Sequence, residues 1–252
     1  MNFLYKLYQF FIFLPTWLVA TILAALFTII GCVLGNAHFW GYYPGKVWSW
    51  LTCRMLLLPI RIEGRENIDK HRSYVFVANH QGPMDIFLIY GFLGRNFKWM
   101  MKVALRRIPL VGYACDRARH IFVDKSGPKK IQETIERGRS TLQGGTSLVV
   151  FPEGSRTFTG HMGLFRKGAF QLADDLQLPV VPITIDGSFD VLTRMAGINF
   201  VHHHAMRMVI HKPIFPTEQS AAEIKRTMDE SYRVIMDALP EEYQGYVKND
   251  DQ

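Results

Sequence analysis

A chain of 252 residues with 48% apolar content can bury a full core in one catalytic domain and carry an appended element, which excludes a disordered chain and a polytopic transporter. The net charge of +7 favours anionic partners without choosing among lipid headgroups, phosphorylated substrates and nucleic acid. Cys32, Cys53 and Cys115 are widely spaced and form no C-x-x-C pair, which argues against a zinc ribbon, a redox dithiol or a disulfide framework.

No Lys, Arg, Asp or Glu lies between Lys6 and Lys46. Within that window Phe10 to Gly35 is apolar almost throughout, and a helix of that length exceeds the roughly 30 Å hydrocarbon core of a bilayer. The run is too long for a signal peptide and lacks a convincing A-x-A cleavage site, so it reads as a retained membrane segment. Pro15 lies early in it, and Gly31, Gly35 and the Gly-Tyr-Tyr-Pro-Gly stretch at 41–45 are expected to end it. A second apolar-aromatic stretch, Val47 to Ile60, carries only Arg54, so one spanning helix and two helices dipping into one leaflet fit equally. Arg54, Arg61 and Arg65 follow closely, and the positive-inside bias places the rest of the chain in the cytoplasm. Residues 1–60 are therefore expected to anchor the chain, and residues 61–252 to form the catalytic domain.

From about residue 61, strands and helices alternate. Tyr74 to Ala78 is a short β-rich run that stops at Asn79-His80, and Pro83 sits where a first helical turn would begin. Lys130 to Leu142 places Ile131, Ile135 and Leu142 on one side of a helix that Gly144-Gly145 would end. Ser147 to Phe151 repeats the strand-into-loop design, running into Pro-Glu-Gly. Phe165, Ala169, Leu172, Ala173 and Leu176 keep helical spacing, and Val180 to Ile185 and Met206 to Ile210 read as further strands. Ser220 with Glu223 forms a capping-box pattern before Ile224, Met228, Ile235 and Leu239. The alternation predicts an α/β domain, a central mixed sheet flanked by helices, with an N-terminal membrane-embedded helix or helix pair. No internal repeat, low-complexity tract or long linker interrupts it.

Two clusters carry chemistry. In Asn79-His80-Gln81-Gly82-Pro83-Met84-Asp85, His80 follows a strand end and Asp85 falls in the first turn of the next helix. Such a turn can return the carboxylate to one imidazole nitrogen and leave the other to accept a proton from a substrate hydroxyl. That is the base–orienter half of a catalytic triad, with the substrate's own hydroxyl as nucleophile. In Phe151-Pro152-Glu153-Gly154-Ser155-Arg156-Thr157, a post-strand glycine permits close backbone approach to a ligand. Arg156 offers a planar charged fork suited to phosphate, and Glu153 could accept a hydrogen bond from a glycerol hydroxyl. A tight turn with a surface salt bridge is the plainer reading of that heptapeptide.

Order and spacing of these clusters, with Lys102-Val-Ala-Leu105-Arg-Arg-Ile-Pro109-Leu-Val-Gly112 and Val181-Pro182-Ile183, resemble the lysophosphatidic acid acyltransferase family across about residues 55–215. The resemblance implies the glycerolipid acyltransferase fold. It also implies that His80 deprotonates the glycerol hydroxyl, which attacks the thioester of acyl-CoA or acyl-carrier protein, while Asp85 orients the imidazole. Glu153, Gly154 and Arg156 would bind the phosphoglycerol end of a lysophospholipid acceptor, Lys102 would help with phosphate, and Pro182 would be structural or shape the acyl pocket. No metal or prosthetic group is implied, and some bacterial relatives carry a two-helix element in one leaflet. Where the family's first block often has Ser or another small polar residue, then an aromatic or aliphatic one, Gly82 and Pro83 stand here, so acceptor preference is open.

Ile86 to Cys115 contains no acidic residue but holds Arg95, Lys98, Lys102, Arg106 and Arg107 among Phe97, Trp99, Met100 and Met101. It reads either as a basic amphipathic face for anionic headgroups or a phosphorylated donor, or as a charge run around a buried strand. Asp124-Lys125 and Lys129-Lys130 would extend the patch. His202-His203-His204 with His211 makes a poor metal site, because adjacent strand side chains point to opposite faces. No G-x-S-x-G elbow supports a serine hydrolase, and no recognisable module supports RNA binding, so no nucleic-acid partner is expected. The remaining alternatives are another acceptor (a different lysophospholipid, a lyso-aminolipid or glycerol 3-phosphate) or a non-catalytic lipid-binding protein.

Overall fold

The computed structural model describes residues 3–124, 127–142, 146–193 and 199–247. Lys125, Gly144 and Gly145 lie outside the described residues, as do the side chains of Ile131 and Ile135.

The apolar N-terminal run is one continuous helix from Phe3 to Leu34, of 32 residues or about 48 Å. It comprises α1 (Phe3–Tyr8), a π-helical turn (Gln9–Phe13) and α2 (Leu14–Leu34). Pro15 lacks an N–H and stands in the first turn of α2, directly after the π turn, where a wider ring absorbs the interrupted ladder. Gly31 does not end the helix. Its missing side chain makes room for Trp40, whose Cγ would lie 2.2 Å from a Cβ there; Gly35 caps the helix instead. After the short α3 (Ala37–Trp40), α4 (Tyr43–Met55) turns back and packs on the domain. Trp48 Nε1 donates to Thr21 Oγ1 at 2.9 Å, tying α4 to α2.

Seven strands form one mixed sheet in the order β1-β7-β6-β2-β5-β3-β4. They are β1 (Ile60–Glu63), β2 (Val75–Ala78), β3 (Phe97–Lys102), β4 (Ile121–Val123), β5 (Ser147–Val150), β6 (Val180–Asp186) and β7 (Met206–Ile210). Every pairing is parallel except β6 with β7. Both faces are covered, which is why β2, β5 and β6 read as unbroken apolar runs rather than alternating ones. One core layer joins the sheet to α4 and to α5 (Met84–Phe92), through Tyr42, Cys53, Leu56, Phe76, Leu88 and Val149. The other joins it to α8 (Gly168–Asp175) and α10 (Ala221–Asp237), through Val75, Leu148, Phe170, Leu172 and Ile235, with Leu142 at the end of α7 (Pro128–Leu142). Two short helices, α6 (Val111–Arg117) and α9 (Ser188–Val191), lie before β4 and after β6. Ser220 caps α10 as expected, accepting from the N–H of Glu223 at 3.1 Å. Phe165 was expected inside α8 but precedes it, and stacks on Phe170.

β1 and β4 are short and are not assigned from sequence, whereas β3 is the buried strand that one of the two readings of the charged run allows. Within β3, Phe97, Lys98 and Trp99 are all buried, so Lys98 does not face solvent with Lys102, Arg106 and Arg107.

Candidate active site

β2 and β5 are parallel neighbours with Val77 opposite Val150, so the segments leaving them, Asn79–Pro83 and Phe151–Thr157, emerge on one edge of the sheet. This C-terminal edge is where open α/β sheets gather ligand-binding loops. Asn79 extends the end of β2 by exchanging two hydrogen bonds with the backbone of Ile185 on β6, at 2.8 and 2.7 Å. His80 follows at once, held where the strand stops.

His80 Nδ1 lies 2.7 Å from Asp85 Oδ2, and the Asp85 carboxyl is fully buried. The same oxygen accepts the Gly82 N–H at 2.9 Å, so the first turn of α5 folds back on its own entry. Gly82 is required there: a Cβ would sit 2.9 Å from the Ser188 carbonyl oxygen and 3.0 Å from Ser188 Oγ. The imidazole stacks on Phe151 with centroids 3.9 Å apart and planes 9° from parallel, and Phe151 stacks in turn on Trp99. With Nδ1 engaged and the ring face covered, Nε2 is the nitrogen left for chemistry. The His80 side chain keeps 12% of its surface exposed.

Glu153 is buried, and both its oxygens are taken by the backbone. Oε1 accepts the His80 N–H at 2.6 Å, and Oε2 accepts the Gly163 N–H at 2.7 Å. Burial pushes its carboxyl up to about 8, against those two donors, which pull it down. Glu153 thus fixes the position of His80 rather than presenting an open acceptor to a glycerol hydroxyl. Gly154 adopts φ of +79°, a left-handed conformation natural to glycine, and a Cβ there would meet Arg166 Nε at 3.2 Å. Arg156 follows half-buried in the same loop, and Lys102 ends β3 as an exposed side chain on the same sheet edge. Pro182 lies buried inside β6 opposite Val77.

His80 and Asp85 therefore lie on the segment running from β2 into α5, and Glu153, Gly154 and Arg156 on the loop that leaves β5 and grips it, with Lys102 at the end of the neighbouring β3. Sequence reasoning missed Phe151 as the ring beneath His80, Gly82 as a steric necessity, and Arg166 as a guanidinium beside Gly154. For Arg166 the only signal was the basic pair Arg166-Lys167. His211 Nε2 lies 2.8 Å from Thr184 Oγ1, and no cluster of metal-ligating side chains occurs among the described residues.

Residues 59–186 match the family model described as Acyltransferase. The chloroplastic 1-acyl-sn-glycerol-3-phosphate acyltransferase of Arabidopsis thaliana is 30% identical over 82% of this chain, which spans 62% of that relative's length. The 1-acyl-sn-glycerol-3-phosphate acyltransferase of Saccharomyces cerevisiae is 25% identical over 85% of this chain and 71% of its own. The crystal structure of the 1-acyl-sn-glycerophosphate (LPA) acyltransferase PlsC of Thermotoga maritima superposes with a TM-score of 0.74 at 27% identity. That match covers 94% of this chain and 95% of that one. With its matched segment running from the first strand through β6 and taking in both loops of the site, this chain belongs to the acyltransferase family.

Proposed function

We propose that the protein transfers a fatty acyl group from acyl-CoA or acyl-carrier protein to the free hydroxyl of 1-acylglycerol 3-phosphate, giving phosphatidic acid. The observation that carries this reading is the 2.7 Å contact between His80 Nδ1 and the buried Asp85 carboxyl. The carboxylate holds the ring in the tautomer with a proton on Nδ1, so Nε2 accepts the acceptor's hydroxyl proton. The oxygen attacks the thioester carbonyl carbon, the C–S bond breaks as the tetrahedral adduct collapses, and the imidazolium returns its proton to the departing thiolate. Water is not consumed, and the acyl group ends as an ester. Arg156 anchors the acceptor phosphate, Gly154 allows the backbone to approach it, Lys102 adds positive charge, and Glu153 acts by positioning His80.

Residues 1–60 serve as the membrane anchor and residues 61–252 as the catalytic domain. The helix Phe3–Leu34 has a mean hydropathy of 2.5 over its most apolar window, of which only 11% is buried. Leu18, Val19, Ile22, Leu23, Leu26 and Phe27 are exposed apolar side chains that water does not favour. Arg54, Arg61 and Arg65 after it favour a catalytic domain on the cytoplasmic face.

The test is an assay of the full chain, purified in detergent, against 1-acylglycerol 3-phosphate, other lysophospholipids, a lyso-aminolipid and glycerol 3-phosphate, each with acyl-CoA and with acyl-carrier protein donors. Preferred acylation of 1-acylglycerol 3-phosphate is expected. Preference for another acceptor, or no transfer at all, would sink the reading.

A further inference from the structure

A cleft of about 520 Å³ lies away from His80, where the segment between β3 and β4 and the C-terminal half of α7 meet the end of the N-terminal helices. Lys98 lines it at the level of Val75, since both pair with Leu148. His80 is five residues further on, about 16 Å along the strands and about 10 Å across them. The reaction proposed above makes no use of this cleft.

Its lining is cationic. Lys98 is 3% exposed, and its Nζ has no hydrogen-bond partner. Arg119 and Arg137 line the same cleft, as does the single acid Asp116, which is already engaged by Arg106 at 2.9 Å. His120 adds a neutral donor: its Nδ1 accepts the Trp99 N–H at 3.2 Å, which leaves the proton on Nε2. Burial and the nearby Lys98 push the His120 imidazole down to about 3, so it stays uncharged at physiological pH. Arg119 also carries φ of +60°, an unusual backbone state for a residue other than glycine, of the kind found where a site dictates conformation. Gly41 makes way for the lysine, since a Cβ there would lie 3.0 Å from Lys98 Nζ. A buried ammonium without a partner, sharing the cleft with two arginines while the one lining carboxylate is committed to Arg106, is costly unless an anion joins them.

We propose that this cleft is a second anion site, which binds a phosphate group as a mono- or diester. Two guanidinium forks and an ammonium match tetrahedral oxygens better than a lone carboxylate, and the pocket admits a phosphate with part of its carrier. Ala37 and His38, at the end of the membrane helices, form one wall. The phosphate therefore comes either from a lipid headgroup entering beside that wall or from solution.

The full chain in detergent, carrying Arg156→Ala to remove the proposed acceptor anchor, separates these cases. One arm measures saturable binding of inorganic phosphate at constant ionic strength. The other measures flotation with phosphatidylcholine vesicles with and without phosphatidic acid. Adding Arg119→Gln and Arg137→Gln should weaken binding at least about tenfold in whichever arm reports it, given the strength of charge-assisted hydrogen bonds. Lys98→Met should do the same without lowering the melting temperature, because it removes an unpartnered buried charge. Loss in the phosphate arm identifies a soluble ligand, and loss confined to the vesicle arm identifies a headgroup. Binding unaffected by Arg119→Gln with Arg137→Gln, or no binding in either arm, overturns the site whatever the outcome for acyl transfer.

Discussion

Glu153 accepts the backbone N–H of His80 at 2.6 Å from 73 residues downstream, and Thr157 returns an N–H to the His80 carbonyl at 3.0 Å. The peptide unit of the proposed base is thus gripped on both sides by one loop, while Asp85 holds its ring. Glu153→Gln keeps one acceptor oxygen but points an amide N–H₂ at the other backbone donor, which leaves a buried N–H unpaired at a cost of about 1–3 kcal/mol. Turnover should fall roughly tenfold or more through displacement of His80, with the KM of both substrates changing little. A variant with normal kcat and raised acceptor KM would instead make Glu153 a substrate ligand.

The same carboxyl makes stability depend on pH. Glu153 is pushed up to about 8 by burial, above its ordinary value of 4.5, so between these values the fold retains a proton that the unfolded chain releases. Its contribution is complete below about pH 4.5 and is lost as pH rises through about 8. The melting temperature of the native protein, relative to the non-titrating Glu153→Gln, should fall across that window. Parallel curves for the two proteins would show that Glu153 does not titrate there.

On the function proposed above, Arg156 anchors the acceptor phosphate, remote from the reacting hydroxyl, and so holds that hydroxyl in place. Arg156→Ala should raise the acceptor's KM strongly and lower kcat to a lesser degree, with the donor's KM nearly unchanged. Arg156→Lys should restore only part, because an ammonium keeps the charge and loses the fork. A rise in donor KM alone would move Arg156 to the donor site.

The exposed face of the N-terminal helix offers a clean test of anchoring. Ile22 and Leu26 point away from the domain, so Ile22→Asp with Leu26→Asp should leave the fold intact. Each charge costs about 2.5–3.5 kcal/mol at the centre of a bilayer-spanning helix and less nearer the interface. Flotation with liposomes should show a large loss of the bound fraction, and undiminished binding would place the membrane contact elsewhere.

The sheet and the site were unequally legible from residues alone. β2, β5 and β6 announce themselves because both faces are covered and their apolar runs are bounded by turn residues. β3 is legible only as one of two readings, because a lysine interrupts it, and no periodicity reveals that a cleft stands over that lysine. The partnership of His80 with Asp85 was readable, since five residues across a strand end and a helical turn are a local matter. The grip of Glu153 on His80 was not, because it depends on β2 and β5 becoming neighbours, a pairing decided by the whole sheet. Gly31 misled for a related reason: it looks like a helix terminator, while its real partner is Trp40 from the returning chain.

General-base catalysis by His80 is tested most directly by the single-turnover rate of acyl transfer to 1-acylglycerol 3-phosphate in His80→Ala. The measurement uses saturating substrates, with circular dichroism and liposome binding as controls for fold and anchoring. Loss of the base should lower the rate by about 10²–10⁴-fold with both controls unchanged. A rate near that of the native protein, from a folded and membrane-bound variant, would contradict it.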